Sequence, residues 1–414
     1  MTAKILIIGA GQAGMQIAVS LRESEFAGDI TIVGEEAYAP YQRPPLSKAY
    51  LAGDSDEESL EFRNPNFYAE NRIKLVTGEK IIGAEFGENG GVATAASGKT
   101  YSFDKLALAP GSTPRKLTLE GAELDGVLYL RDLDDAKALK DRWDGAKNLV
   151  VIGGGFIGLE VAAAARKAGK TVTVLEVADR LMARAVSPIT SEFYREAHER
   201  RGTSIRLGVQ MTKFIGAEGR VSGVELSDGS VVPAEIVMVG IGVIARGEVA
   251  ESLGLETMNG AIVVNEFAET SNPLVVAAGD AVLLPYPLGG DTQVRLESVQ
   301  NAVDQAKVAA ATLLGTKDAY HAVPWFWSDQ AELKLQIAGL SMGYDQTVLR
   351  GNQADEHFSV LYYRDSKLIA IDAVNDVPDY MAVRRALAAG HNIPADLASD
   401  FSIALKTLIN AEKA

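Results

Sequence analysis

Residues 4–36, KILIIGAGQAGMQIAVSLRESEFAGDITIVGEE, begin with an apolar run, Ile5 to Ile8, that leads into Gly9-x-Gly11-x-x-Gly14. An amphipathic stretch follows, then a second apolar run, Ile30 to Val33, with Glu35 just past its end. This is the spacing of a strand, tight turn, helix and second strand that hold a dinucleotide. Gly9 permits the turn, Gly11 lets the backbone approach a pyrophosphate, and Gly14 lets helix and strand pack closely. The unpaired N–H groups and positive dipole end of the helix then face the phosphates. Glu35 stands where a carboxylate accepts hydrogen bonds from a ribose. A lone glycine triplet is weak evidence, but here every other part is in register with it.

The pattern returns in residues 148–180, NLVVIGGGFIGLEVAAAARKAGKTVTVLEVADR, with Gly153, Gly155 and Gly158, and Glu176 closes the second strand. Two such units mean two dinucleotides, or a duplication in which one copy has lost its ligand, and the regularity of both copies favours two working sites. A carboxylate at 176 accepts from a free 2′-hydroxyl and repels a 2′-phosphate, so NADH is expected over NADPH. Arg180 and Arg184 either oppose that preference or lie on a solvated face. Two further segments, FDKLALAPGSTPRK (103–116) and NPLVVAAGDAV (272–282), read as strands that end in a Gly-Ser-Thr-Pro turn and in Gly279-Asp280.

The rest of the chain narrows the chemistry. At 414 residues, with 47% hydrophobic and 23% charged residues, the protein is expected to fold as two or three globular domains. A net charge of −15 argues against general affinity for nucleic acid. No apolar run approaches membrane-spanning length and the N-terminus lacks a secretory pattern, so a cytoplasmic protein without membrane attachment is expected. The histidines, at 198, 321, 357 and 391, have no metal-ligand spacing, and structural or surface roles are expected for them. There is no cysteine, which excludes disulfides, thiolate nucleophiles, C-x-x-C redox motifs and cysteine-held iron–sulfur clusters. In YQRPPLSKAYL (41–51), Pro44 and Pro45 stiffen an approach to a helix that Ser47 is expected to cap. Lys48 taken alone reads as a surface charge. The tail shifts in texture: FSVLYYRDSKLIAIDAVND alternates as antiparallel strands do, and DYMAVRRALAAGHN reads as a helix ending at Gly390.

With these segments assembled, the chain resembles the two-dinucleotide-domain flavoproteins of the glutathione-reductase-like fold. Members that pass electrons through an internal dithiol are excluded by the missing cysteine. YQRPPLSKAYL, VVIGGGFIGLEVAAAARKAGKTVTVLE, RLESVQNAVDQAKVAA and PWFWSDQ resemble, more narrowly, the FAD-dependent ferredoxin reductases of the putidaredoxin-reductase and aromatic-ring-dioxygenase type. The resemblance covers essentially the whole chain.

It implies an α/β fold of two Rossmann-like domains with a smaller α+β C-terminal domain. The expected divisions are 1–115 and 246–320 for the FAD domain, 116–245 for the NAD domain, and 321–414 for the C-terminal domain. It assigns FAD to Gly9, Gly11, Gly14, Glu35, Arg43, Pro44, Lys48, Ala109, Gly111, Asp280, Glu297, Ser298, Val299 and Trp327. The nicotinamide nucleotide falls to Gly153, Gly155, Gly158, Glu160 and Glu176. Lys48, near the reactive flavin edge and paired with Glu160, is expected to be catalytic with that glutamate and with Trp327, which marks the docking face. The implied activity carries electrons from NADH through FAD, one at a time, to a [2Fe–2S] ferredoxin serving a P450 or ring-hydroxylating oxygenase. An acidic ferredoxin calls for a local basic patch, for which Arg295 and then Lys334 are candidates. A monomer or weak dimer is expected. Two positions depart from the family: Pro110, which offers no N–H, replaces a threonine, and Ala245-Arg246 replaces Pro-Asn. Two other functions stay open, an NADH-dependent reductase of a small acceptor such as a quinone or monodehydroascorbate, and a redox-sensing FAD/NAD binding protein.

Overall fold

A computed structural model describes residues 3–87, 90–289 and 292–409; residues 1, 2, 88, 89, 290, 291 and 410–414, inside the expected domain limits, lie outside them. The chain divides into two compact units. Met1–Gln42, Glu58–Thr113 and Val243–Pro324 make up the first, and Arg43–Glu57, Pro114–Gly242 and Trp325–Ala414 the second.

The first unit is built on a five-stranded sheet in the order Val275–Ala277, Lys105–Leu108, Lys4–Ile8, Asp29–Val33, Ile73–Val76. All neighbouring pairs are parallel. Ile5, Ile7, Ile30 and Ile32 are buried in its core, as continuous apolar runs require when both faces of a parallel sheet are covered. The helix Gln12–Glu23 packs against the helix Val299–Leu313, and Ala18, Ala306 and Ala309 allow a close approach.

The second unit repeats the plan. Its parallel sheet runs Ser204–Arg206, Thr171–Leu175, Asn148–Ile152, Ile236–Val239, Val127–Leu128. Its helix Phe156–Lys167 follows the second glycine turn. Each Rossmann-like sheet has its own three-stranded antiparallel companion, Ile81–Gly87 to Phe103 in one case and Met211–Ala217 to Pro233 in the other.

The tail forms a five-stranded antiparallel sheet ordered Trp325–Gln330, Leu333–Gly339, Lys367–Val374, His357–Arg364, Gln346–Asn352. The expected in–out alternation fails at His357–Arg364, where every residue from Phe358 to Tyr363 is buried. The strand lies inside the sheet, and the helix Pro188–Arg200 covers it through the Phe193–Phe358 ring contact, while Thr190 of the same helix donates to Asp372 on the neighbouring strand Lys367–Val374. The helix expected in the tail runs from Val377 to Ala388, and Gly390 follows it with φ +66°. No helix among the described residues is long and apolar enough to cross a membrane.

Candidate functional site

The two glycine turns are the same object built twice. Gly9 N–H donates to Val33 O at 2.8 Å, and Gly153 N–H donates to Leu175 O at 2.8 Å. Gly9 has φ +109° and a Cβ there would sit 2.0 Å from the Ala109 carbonyl; Gly153 has φ +101° and would meet the Gly240 carbonyl at 2.4 Å. Both positions therefore require glycine for backbone geometry and for space. Gly14 and Gly158 press on the carbonyls of Gly9 and Gly153, which lets each helix start close to its strand.

Gly11 and Gly155 differ from these. A Cβ at either meets nothing within 4 Å, and each is the N-cap of its helix with no side chain capping it. The helix amides, which need partners in any helix, are thus left facing open space. That space and those donors fit a pyrophosphate in both turns.

Around the first turn, Glu35 is exposed and ion-paired with Arg246 at 2.6 Å and Lys80 at 3.2 Å. Burial pushes its carboxyl upward, but the hydrogen bonds and charges of Arg246 and Lys80 outweigh it and hold the group below the usual range. Arg246, to which the sequence assigned no role, thus belongs to the Glu35 corner. Ala109 is buried, and the Gly111 carbonyl accepts from Arg246 N–H at 3.1 Å. Asp280 Oδ2 lies 3.4 Å from Ser112 Oγ. Ser298 caps the helix that begins at Val299, its hydroxyl accepting from Asn301 N–H at 3.1 Å. Glu297 is ion-paired with Arg295, so the first candidate for a docking cation is already matched by a carboxylate. Lys334, on the strand Leu333–Gly339, is exposed.

Around the second turn, Glu176 Oε2 accepts from Gly154 N–H at 2.6 Å and its Oε1 from Ala178 N–H at 2.8 Å. Two of about four acceptor sites remain on that carboxylate. Arg180 donates to the carbonyls of Val186 and Ala183 at 2.8 and 2.6 Å, so its guanidinium is committed to its own loop. Arg184 is exposed.

The segment Arg43–Glu57 clusters with this second unit. Arg43 donates to the Arg131 carbonyl at 2.8 Å. Pro44–Ser47 is a 3-10 turn, and the helix Ala49–Ala52 has Lys48, not Ser47, at its N-cap position. The expected Ser47 cap is therefore incorrect. Two consecutive prolines wind the chain tightly before the helix starts, and the Ser47 hydroxyl turns to a stronger acceptor, donating to Glu160 Oε2 at 2.6 Å. Lys48 Nζ reaches the same oxygen at 2.6 Å. Ser328, in the strand Trp325–Gln330, donates to Glu160 Oε1 at 2.7 Å. Glu160 is 5% exposed, so its charge is carried entirely by these three donors. As partners of Glu160, Ser47 and Ser328 escaped the sequence reading, although the alternation in WFWSDQ puts Ser328 on the face opposite Trp325 and Trp327. In that stack Trp327 lies 5.6 Å from Trp325 and 6.4 Å from Phe326, centroid to centroid.

Comparison with known proteins gives a consistent result. The family described as pyridine nucleotide-disulphide oxidoreductase matches residues 3–306, and the family described as reductase C-terminal matches 325–409. The chain is 44% identical to rhodocoxin reductase of Rhodococcus erythropolis over 99% of its own length and 95% of that protein's. It superposes with a TM-score of 0.94 on the ferredoxin reductase for the CYP199A2 system of Rhodopseudomonas palustris, at 42% identity, covering 98% of this chain and 99% of the other. The covalent putidaredoxin reductase–putidaredoxin complex also matches with a TM-score of 0.94, at 39% identity, covering 100% of this chain and 99% of the reductase chain.

Proposed function

The chain belongs to the pyridine nucleotide-disulphide oxidoreductase family, in its FAD-dependent ferredoxin-reductase branch, and from that premise we propose that it moves electrons from NADH through FAD to a [2Fe–2S] ferredoxin of an oxygenase system. Two uncapped glycine turns in a chain without cysteine carry this reading. The turns supply two nucleotide sites, and the absent thiols leave an external acceptor as the destination of the electrons. Bound FAD supplies a ring that takes up hydride as an electron pair and releases electrons singly, so that NADH and two oxidised ferredoxins give NAD⁺, two reduced ferredoxins and a proton.

The protein's own part is binding, orientation and electrostatics. Gly9, Gly11 and Gly14 form the FAD phosphate turn, with Glu35, Asp280 and the backbone at Ala109 and Gly111 orienting the ribose and ribityl portions. Arg43, Pro44, Glu297, Ser298 and Val299 complete the FAD contacts. Gly153, Gly155, Gly158 and Glu176 form the nicotinamide nucleotide turn. The commitment of Arg180 to backbone carbonyls removes one cation from competition for a 2′-phosphate and supports NADH. Glu160 holds the nicotinamide carboxamide, Lys48 supplies a fixed ammonium beside the reacting groups, and Trp327 completes the reaction centre. Lys334 and Arg295 are the proposed ferredoxin contacts. The protein works in the cytoplasm, where NADH is available, as a monomer or weak dimer.

The test mixes the FAD-loaded protein with NADH and excess cytochrome c, then adds a [2Fe–2S] ferredoxin. Slow reduction alone and fast reduction with ferredoxin is the expected outcome. Rapid quinone reduction with no gain from ferredoxin would replace it with the small-acceptor enzyme.

A further inference from the structure

Behind the Lys48–Glu160 pair, a line of buried polar groups runs on from Ser328. Ser328, Gln330 and His198 are each 3% exposed or less. Gln330 Nε2 lies 3.2 Å from Ser328 Oγ, and Gln330 Oε1 lies 2.8 Å from His198 Nε2. His198 comes from the helix Pro188–Arg200, and the other two from alternate positions of the strand Trp325–Gln330.

The protons on this line can be assigned one after another, starting from the carboxylate. An ionised Glu160 can only accept, so the Ser328 hydroxyl spends its proton on Glu160 Oε1. Ser328 Oγ must then accept, which puts the amide nitrogen of Gln330 against it. Gln330 Oε1 therefore faces the imidazole, and His198 must carry its proton on Nε2. Burial lowers the pKa of His198, which keeps the ring neutral and a single tautomer in place.

We propose that Ser328, Gln330 and His198 are positioning residues for Glu160, a one-way chain of donors that fixes its carboxylate so that the last acceptor site on Oε1 meets the nicotinamide carboxamide. Lys48 and Ser47 occupy Oε2 and Ser328 occupies one side of Oε1, so three of about four acceptor sites are filled. The proposal rests on the assignment of Glu160 to the nicotinamide site.

Two measurements on the FAD-loaded protein test it. The first is ¹⁵N NMR of labelled histidine, with the His198 signal identified by its loss in His198→Gln. A neutral ring protonated on Nε2 is expected, and an Nδ1-protonated ring would overturn the chain of donors. The second is calorimetric affinity for NAD⁺. Gln330→Glu keeps the shape of the side chain but offers only acceptors, which draws the Ser328 proton away from Glu160. It is expected to weaken NAD⁺ binding about tenfold, as is Ser328→Ala, with the double variant no worse than either. A structural role would lower the melting temperature without this pattern. If both variants bind NAD⁺ within about twofold of the parent while Glu160→Gln binds weakly, positioning is overturned and Glu160 keeps its role. If Glu160→Gln itself binds normally, the assignment of Glu160 falls and takes the proposal with it.

Discussion

Gly9 and Gly11 lie two residues apart in one turn, yet they answer to different constraints. Gly9→Ala would drive a Cβ to 2.0 Å from the Ala109 carbonyl at φ +109°, so it should cost several kcal/mol of stability in a denaturant melt. Gly11→Ala has nothing within 4 Å of the new methyl and should fold normally, but its methyl would point where the phosphates are proposed to bind. That variant is expected to melt close to the parent as apoprotein and to lose its FAD on gel filtration. Lys48→Gln tests the charge of the pair by putting a neutral, slightly shorter donor in place of the ammonium. We expect flavin reduction by NADH, followed by stopped-flow bleaching, to slow about a hundredfold while FAD content is unchanged. A loss of less than about threefold would make Lys48 a structural partner of Glu160.

At the scale of elements, the contact between the helix Pro188–Arg200 and the strand Lys367–Val374 hides an acid. Asp372 is fully buried, accepts from Thr190 at 2.8 Å and from Tyr362, and its pKa is raised by desolvation to about 7. The folded state therefore holds this proton where the unfolded chain has released it. Its contribution to stability is complete below about pH 4 and is lost as pH rises through about 7, at up to about 1.4 kcal/mol per pH unit. Urea melts of Asp372→Asn, compared with the parent between pH 5 and 8, should lack that part of the slope. An unchanged slope would show that Asp372 does not titrate there. Nothing in the sequence marks this acid, because a strand aspartate normally reads as a solvated position. The same limit explains which parts of the site were legible. The glycine turns were, since phosphate binding demands fixed residue types at fixed spacing within one short segment. The Ser328–Gln330–His198 line was not, because His198 lies 132 residues from Gln330 and each residue type alone is ordinary. Ser47 misled for a non-local reason: its cap pattern is sound, but the buried Glu160 carboxylate from a distant segment competed for the hydroxyl.

On the whole molecule, a net charge of −15 sets ferredoxin docking against a repulsive background, so any cation at the contact matters more at low salt. Arg295 is offset by Glu297, whereas Lys334 stands exposed on its strand. Lys334→Glu should therefore lower kcat/KM for ferredoxin about tenfold at low ionic strength, and Arg295→Glu less, with both effects shrinking as salt is added. The reverse ranking would move the contact to the Arg295 side. The two uncapped helices carry one more consequence, for how the protein comes to be stable at all. Each begins with amides that no side chain completes, so a nucleotide bound as proposed would complete the end of a helix. In hydrogen–deuterium exchange, the amides after Gly11 should exchange fast in the apoprotein and slow on adding FAD alone, while those after Gly155 should wait for NAD⁺. Supply of flavin then becomes a condition of folded abundance as well as of turnover, because an apoprotein with open helix ends is the form most exposed to proteolysis.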